Sequence, residues 1–273
     1  MPRLGVLGWP VAHSRSPAMH NAALRALGME GWRYQLLPVP PERLAETVRA
    51  LAGAGFVGAN VTIPHKQAAL ALADTASEAA RAIGAANTLT FGPGARVAAE
   101  NTDAPGFLDA LGVSPRGMSA QVLGAGGSAR AVVWALREAG AREVSVWNRT
   151  PERAAALAGE LGVRAVPRPA PADLLVNCTS VGLESEDVQL KQSATEPHGL
   201  NLLELAFDQV GSYAHVVDLV YRRTPTPLLA AARAHGVHTV EGLEILLAQG
   251  ALSFELWTGV QPPLAVMRDA LRD

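Results

Sequence analysis

Gln121-Val-Leu-Gly-Ala-Gly-Gly-Ser-Ala-Arg-Ala131 is the stretch that decides the fold. Its spacing predicts a short apolar strand at Gln121–Leu123, then glycines, then an Ala-rich helix over Ser128–Ala139. Gly124, Gly126 and Ala129 match the Gly-x-Gly-x-x-Gly/Ala turn of a dinucleotide-binding unit. The first glycine makes the tight turn, the second lets a pyrophosphate approach the backbone, and the third small residue lets helix pack on strand. Gly124, Ala125, Gly126, Gly127 and Ser128 then lead into a helix start whose free N–H groups suit phosphate oxygens.

The following strand, Glu143–Trp147, ends in Asn148-Arg-Thr-Pro-Glu-Arg153. A cofactor lacking a 2′-phosphate usually meets Asp or Glu here, which accepts from the ribose hydroxyl. No acid stands at this strand end; Arg149 and Arg153 do. A carboxylate would repel a 2′-phosphate, whereas guanidinium forks match its oxygens two at a time. Solvated charges around a helix capped by Thr150 are the bland alternative, but cations at a helix N-terminus oppose its dipole. The pattern favours NADP(H) over NAD(H).

At 273 residues the chain has room for two domains. Its formal charge of −2, without a basic tract, gives no reason to expect nucleic acid or an acidic membrane surface. Cys178 is the only cysteine, so no internal disulfide forms, and a reducing compartment is expected. Met1–Pro10 lacks the apolar region of a signal peptide, and no run is long enough to span a bilayer. These features lead us to expect a soluble cytoplasmic protein. Seven histidines show no metal spacing, so no metal is expected. A hydrolase triad of His13, Ser14 and Asp103 lacks the Gly-x-Ser-x-Gly elbow. Lys66 and Lys191 are the only lysines, a bias that a GC-rich genome would also produce.

From the amino terminus, Leu4–Leu7 is expected to be a buried strand and Pro17–Leu27 a helix with Ser16 as its N-cap. In an extended segment Ser14 and Ser16 point their hydroxyls the same way, which suits a carboxylate as well as it suits simple capping. A strand at Trp32–Val39, a helix at Pro41–Leu51 and a strand ended by Pro64 in Gly58–Lys66 follow. Alternating strand and helix predicts a largely parallel sheet, with ligands at the strand C-termini, where Thr62 and Lys66 lie. After helices near Lys66–Leu72 and Glu78–Ile83, residues 86–101 read as a hairpin ending in Asn101-Thr102-Asp103. Locally, Asp103 is an N-cap for Ala104–Leu111, and Asn87 a turn residue. Past a linker at Gly112–Gly117, further strands fall at Val163–Val166, Leu174–Asn177, His215–Leu219 and Val237–Val240. Glu184–Ser212 is expected to be a surface excursion with a helix at Leu200–Phe207. Helices at Pro225–His235 and Leu243–Trp257 precede a tail, Thr258–Asp273.

Taken together, Ser14-Arg-Ser-Pro17, Asn60-Val-Thr-Ile-Pro-His-Lys66, Ala85-Ala-Asn-Thr88, Asn101-Thr-Asp103, Gly124-Ala-Gly-Gly-Ser128, Asn148-Arg-Thr150 with Arg153, Asp218-Leu-Val-Tyr221 and Gln249-Gly250 resemble the shikimate dehydrogenase family, in order and across nearly the whole chain. The resemblance implies NADPH-dependent reduction of 3-dehydroshikimate to shikimate, on the route to chorismate and the aromatic amino acids. It implies that Ser14 and Ser16 hold the substrate carboxylate. Thr62, Asn87, Asp103, Tyr221 and Gln249 contact the ring and its hydroxyls, and Lys66 and Asp103 form the catalytic pair. Thr179, Leu219 and Gly242 would lie along the nicotinamide half of the cofactor. The implied α/β architecture has two domains. An N-terminal α/β substrate domain with a mostly parallel sheet (1–102 and 241–273, including the returning C-terminal helix) flanks an inserted Rossmann-type NADP-binding domain (103–240), in a monomer or homodimer.

Two features depart from the family pattern. Arg15 stands between the serines where Lys is usual, and the segment between Gly182 and Asp218 is longer than in most members. A quinate-using relative tends to carry an Asp near the adenosine ribose and a Thr in the serine pair; neither is present. A ligand sensor of the same fold would have no need of a proton donor beside the substrate.

Overall fold

The structure, a computed structural model, describes residues 1–183 and 198–272. The chain divides into two compact units, one formed by Met1–Phe107 with Leu246–Asp273, the other by Leu108–Ile245.

The first unit is built on a six-stranded sheet. Its strands are β1 (Arg3–Gly8), β2 (Arg33–Pro38), β3 (Phe56–Val61), β4 (Thr75–Ala76), β5 (Thr88–Phe91) and β6 (Val97–Glu100), in the order β2-β1-β3-β5-β6-β4. β1 is apolar for almost its whole length because it lies inside the sheet, parallel to both β2 and β3. β5 and β6 form the expected hairpin, antiparallel to each other, and β5 is antiparallel to β3. One face packs Leu7, Val48, Phe56, Ala59 and Leu89 into a core; Leu4, Val6, Tyr34 and Trp257 form another.

Helices α1 (Ser16–Ala26), α2 (Leu44–Gly53), α3 (Lys66–Leu72) and α4 (Glu78–Ile83) connect these strands, and α5 (Asp103–Leu111) leaves the hairpin. The helix expected from Pro41 begins instead with a 3-10 turn, Pro41–Arg43, before α2. Ser16 is not the N-cap of α1. Arg15 holds that position without a side-chain bond to the helix, and Ser16 is already helical.

The second unit is a wholly parallel six-stranded sheet, β12-β11-β10-β7-β8-β9. It comprises β7 (Ser119–Leu123), β8 (Glu143–Trp147), β9 (Arg164–Ala165), β10 (Leu174–Asn177), β11 (His215–Asp218) and β12 (His238–Glu241). α6 (Gly127–Glu138) and α7 (Pro151–Leu161) follow β7 and β8. Thr150 sits at the N-cap of α7, but its side chain makes no capping bond.

The helix expected over Leu200–Phe207 is two short ones, α8 (His198–Leu202) and α9 (Phe207–Val210). Glu204 takes φ 53°, and Leu205 N–H turns back to the Leu200 carbonyl, so the helix stops while Leu200, Leu203 and Leu205 still reach the core. The rest of the expected excursion, 184–197 with Lys191, lies outside the described residues. α10 (Pro227–Ala234) is capped by the Thr226 hydroxyl.

α11 (Gly242–Thr258) and a further helix, α12 (Leu264–Arg272), end the chain. The expected tail is thus helical. Met267 and Leu271 of α12 are buried, and Arg15 donates to the Leu271 carbonyl at 2.5 Å. Among the described residues no helix is long and apolar enough to cross a membrane.

Candidate active site and cofactor cradle

In the first unit, β3 delivers the chain to a turn in which His65 N–H bonds the Thr62 carbonyl. The buried His65 ring donates from Nε2 to the Val39 carbonyl (2.7 Å), which pins the start of α3. Lys66, the first residue of α3, is therefore held inward and is only 9% exposed. Its Nζ donates to Asp103 Oδ2 at 2.6 Å. A lysine held this far from water next to one carboxylate is not the solvated charge that most surface lysines are.

Asp103 does not cap α5. Asn101 Oδ1 accepts from the Ala104 amide at 3.1 Å, which leaves the Asp103 carboxylate to Lys66 and to Asn87, whose Nδ2 donates to Oδ1 at 2.8 Å. Asn87, 2% exposed, also donates to Gln249 Oε1 at 3.2 Å and accepts from the Thr102 amide at 2.7 Å. Gln249 is no surface residue. It is buried where α11 crosses α5, and a Cβ on Gly106 would lie 2.6 Å from the Gln249 backbone nitrogen. The structure thus gathers Lys66, Asn87, Asp103 and Gln249 into one hydrogen-bonded set.

Behind this set lies a buried row that sequence reasoning leaves without a role. Asn60 Nδ2 donates to the Asn87 carbonyl and to Thr88 Oγ1, each at 3.2 Å, and Tyr34 OH donates to Asn60 Oδ1 at 2.8 Å. Asn60 and Thr88 are register partners on β3 and β5. The available signal is a polar residue on each of two strands otherwise reading as buried.

Ser14 and Ser16 stand together, with Ser14 Oγ donating to Ser16 Oγ at 3.3 Å and accepting from the Ser16 amide at 3.4 Å. Thr62 is half-buried at the end of β3, its amide on the Leu7 carbonyl at 2.8 Å.

In the second unit, Gly124 takes φ 108°, and a Cβ there would sit 3.1 Å from the Cys178 carbonyl, so both conformation and space require glycine. Gly126 is exposed at the N-cap of α6, and among the described residues none but its chain neighbours and its own helix comes within 4 Å of where a Cβ would stand. No side chain caps this helix start. Ala125, Gly127 and Ser128 flank it, half-buried. At the end of β8, Asn148 Nδ2 donates to the Thr150 carbonyl at 2.9 Å and shapes the turn, leaving Arg149, Thr150 and Arg153 exposed. An open glycine cradle, an uncapped helix start and two solvent-facing guanidinium groups fit a dinucleotide carrying an additional phosphate.

Thr179 donates from both its amide (3.0 Å) and its hydroxyl (2.7 Å) to Asn177 Oδ1, just past β10. Leu219 and Gly242 meet: a Cβ on Gly242 would lie 2.5 Å from the Leu219 carbonyl oxygen. Tyr221 follows, half-buried.

Comparison with known proteins accords with both halves. Residues 6–89 match the family model for the shikimate dehydrogenase substrate binding domain. Residues 112–178 match that of shikimate/quinate 5-dehydrogenase, and 242–272 that of the shikimate 5′-dehydrogenase C-terminal domain. An NADP(+) shikimate dehydrogenase of Thermus thermophilus is 49% identical over 280 residues, covering 100% of this chain and 98% of that protein. The crystal structure of the shikimate 5-dehydrogenase from that organism, in complex with NADP(H) and shikimate, superposes with a TM-score of 0.83, covering 100% of this chain and 99% of the other at 46% identity. Shikimate dehydrogenase from Aquifex aeolicus superposes with a TM-score of 0.86 at 34% identity, covering 100% and 98%. With such identity over its whole length, and the Lys66–Asp103 pair and glycine cradle in place, the chain belongs to the shikimate dehydrogenase family.

Proposed function

We propose that the chain catalyses the reversible NADPH-dependent reduction of 3-dehydroshikimate to shikimate, within the pathway to chorismate and aromatic amino acids. The observation that carries this is the 2.6 Å contact between Lys66 and Asp103, set among Asn87 and Gln249. The cofactor, when bound, supplies a hydride to the ring ketone. As charge builds on the carbonyl oxygen, the Lys66 ammonium stabilises it and delivers a proton from Nζ. Asp103 orients that ammonium and accepts from a substrate hydroxyl, and Asn87 keeps the carboxylate in place. Asn87 and Gln249 present further amide groups to ring hydroxyls, with Thr62 and Tyr221 as additional contacts. The paired hydroxyls of Ser14 and Ser16, just before and at the first residue of α1, take the substrate carboxylate.

On this reading, residues 1–102 and 241–273, joined by Asp103 and Tyr221, bind substrate, and the rest of residues 103–240, joined by Gly242, bind NADP(H). The Gly124–Ser128 turn holds the pyrophosphate. Asn148, Arg149, Thr150 and Arg153 hold the 2′-phosphate side, and Thr179, Leu219 and Gly242 the nicotinamide side. The protein works in the cytoplasm as a monomer or homodimer. Mixing purified protein with NADP and shikimate should raise the absorbance of reduced nicotinamide, with a higher specificity constant for shikimate than for quinate. No rise would exclude the enzyme, and a preference for quinate would point to the paralogous activity.

A further inference from the structure

Asp218, at the end of β11, is a fully buried carboxylate to which the proposed reaction gives no task. Three donors converge on it. Asn177 Nδ2 (2.8 Å) and the Val220 amide (3.0 Å) reach Oδ1, and the Thr226 hydroxyl (2.6 Å) reaches Oδ2. Burial pushes its acid up to about 6, an effect that these bonds and the charge of Arg222 offset only in part. A buried charge is a costly way to hold a loop, so stability alone is a poor reason for a carboxylate here.

Two of the donors lead to the nicotinamide side, and the third leads to the start of α10. Asn177 turns its other end, Oδ1, to the amide and hydroxyl of Thr179, and its backbone carbonyl receives the Leu219 amide at 3.0 Å. The Val220 amide ties down the segment between Leu219 and Tyr221. Thr226, besides donating to Asp218, accepts from the Leu229 amide at 3.2 Å and starts α10. The Leu219 carbonyl in turn rests on Gly242. Helix capping explains Thr226, but it requires neither Asn177 nor Val220 to share one carboxylate.

We propose that Asp218 is a positioning residue for the nicotinamide half of the cofactor site, acting through Asn177 on Thr179 and through Val220 on Leu219. This rests on the assignment of those residues to the nicotinamide side.

Asp218→Asn keeps the shape while changing an all-acceptor group into one that must also donate. Its test combines turnover with binding of NADPH and of 2′,5′-ADP, which carries only the adenosine half, and with thermal unfolding. The expected result is 2′,5′-ADP affinity within about twofold of wild type and an undiminished unfolding midpoint. NADPH affinity should fall about tenfold and kcat about 10²-fold, as expected when a reacting group is misplaced. Asn177→Ser, which can no longer span Asp218 and Thr179, should show the same selective loss and serves if the first variant does not fold. A folded variant of either kind whose ratio of NADPH to 2′,5′-ADP affinity and whose kcat match wild type overturns the inference. So does equal loss of both ligands together with a lowered unfolding midpoint. If wild-type protein neither turns over shikimate nor binds NADPH more tightly than 2′,5′-ADP, the functional assignment itself fails.

Discussion

At the scale of single residues, two buried nitrogen-bearing side chains have opposite prospects. Lys66 is matched by Asp103, and the pair is mostly out of solvent (11% and 15% exposed), so removing the ammonium leaves a carboxylate that Asn87 still holds. Lys66→Ala should therefore lower turnover by about 10²–10⁴-fold while shikimate binding, measured calorimetrically, survives. Turnover near wild type would make the lysine structural. His20 is the converse. Its ring stacks on Tyr34 at 4.2 Å between centroids, and among the described residues neither of its nitrogens has a hydrogen-bond partner. Burial lowers its pKa from 6.5 to about 3, so the folded protein keeps it neutral while the unfolded chain protonates it. Its contribution to stability is present above pH 6.5 and is lost as pH falls toward about 3, on the order of 3 kcal/mol by pH 4. In His20→Phe, unfolding free energies measured between pH 7 and 4 should decline less than in wild type. Parallel curves would place the acid sensitivity elsewhere.

At the scale of elements, legibility follows locality. The turn between β7 and α6 is readable because its φ of 108° at Gly124 is one that glycine adopts readily and other residues rarely do, so the residue type itself signals the turn. The hairpin of β5 and β6 is readable for the same reason. Asp103 misleads locally, because its place before an apolar run is that of a cap, while its partners lie 37 and 16 positions away in the sequence. Only the family resemblance pairs it with Lys66. α12, expected as a tail, does carry a helical signal: Leu264, Met267 and Leu271 recur at helical spacing, and packing buries Met267 and Leu271. His20 carries no signal, since one imidazole inside a helix pattern looks like any other polar residue. The turn after β8 supplies the prediction at this scale. Arg149 and Arg153 are both exposed around the start of α7, where cations oppose the helix dipole and so have little structural reason to cluster; on the proposed reading they meet the 2′-phosphate. Replacing both by Ala should weaken NADPH binding about 10²-fold, at ~1.5 kcal/mol or more per charged hydrogen bond, and leave the weak binding of NADH almost unchanged. Equal losses for both cofactors would mean that the arginines shape the turn rather than read the phosphate.

At the scale of the whole molecule, the chain makes two units from three segments, and both crossings fall inside helices. α5 begins in the first unit and ends in the second, and α11 begins in the second and ends in the first. Asp103 and Gln249, the residues that those helices bring to the Lys66 set, both belong to the first unit, so that unit carries the whole set within its own fold. The glycine cradle and the Asp218 network belong entirely to the second. If each ligand half-site is complete within its unit, each ligand should stabilise its own unit when the other is absent, because a ligand protects only the states that bind it. Hydrogen exchange read by mass spectrometry tests this. Shikimate alone should slow exchange in peptides from Met1–Phe107 and Leu246–Asp273, and 2′,5′-ADP alone in peptides from Leu108–Ile245. Protection by shikimate spread evenly over both units, well beyond the peptide that carries Tyr221, would mean that the first unit does not supply most of the grip, and the assignment of Ser14, Ser16, Lys66 and Asp103 as the main substrate contacts would have to be given up.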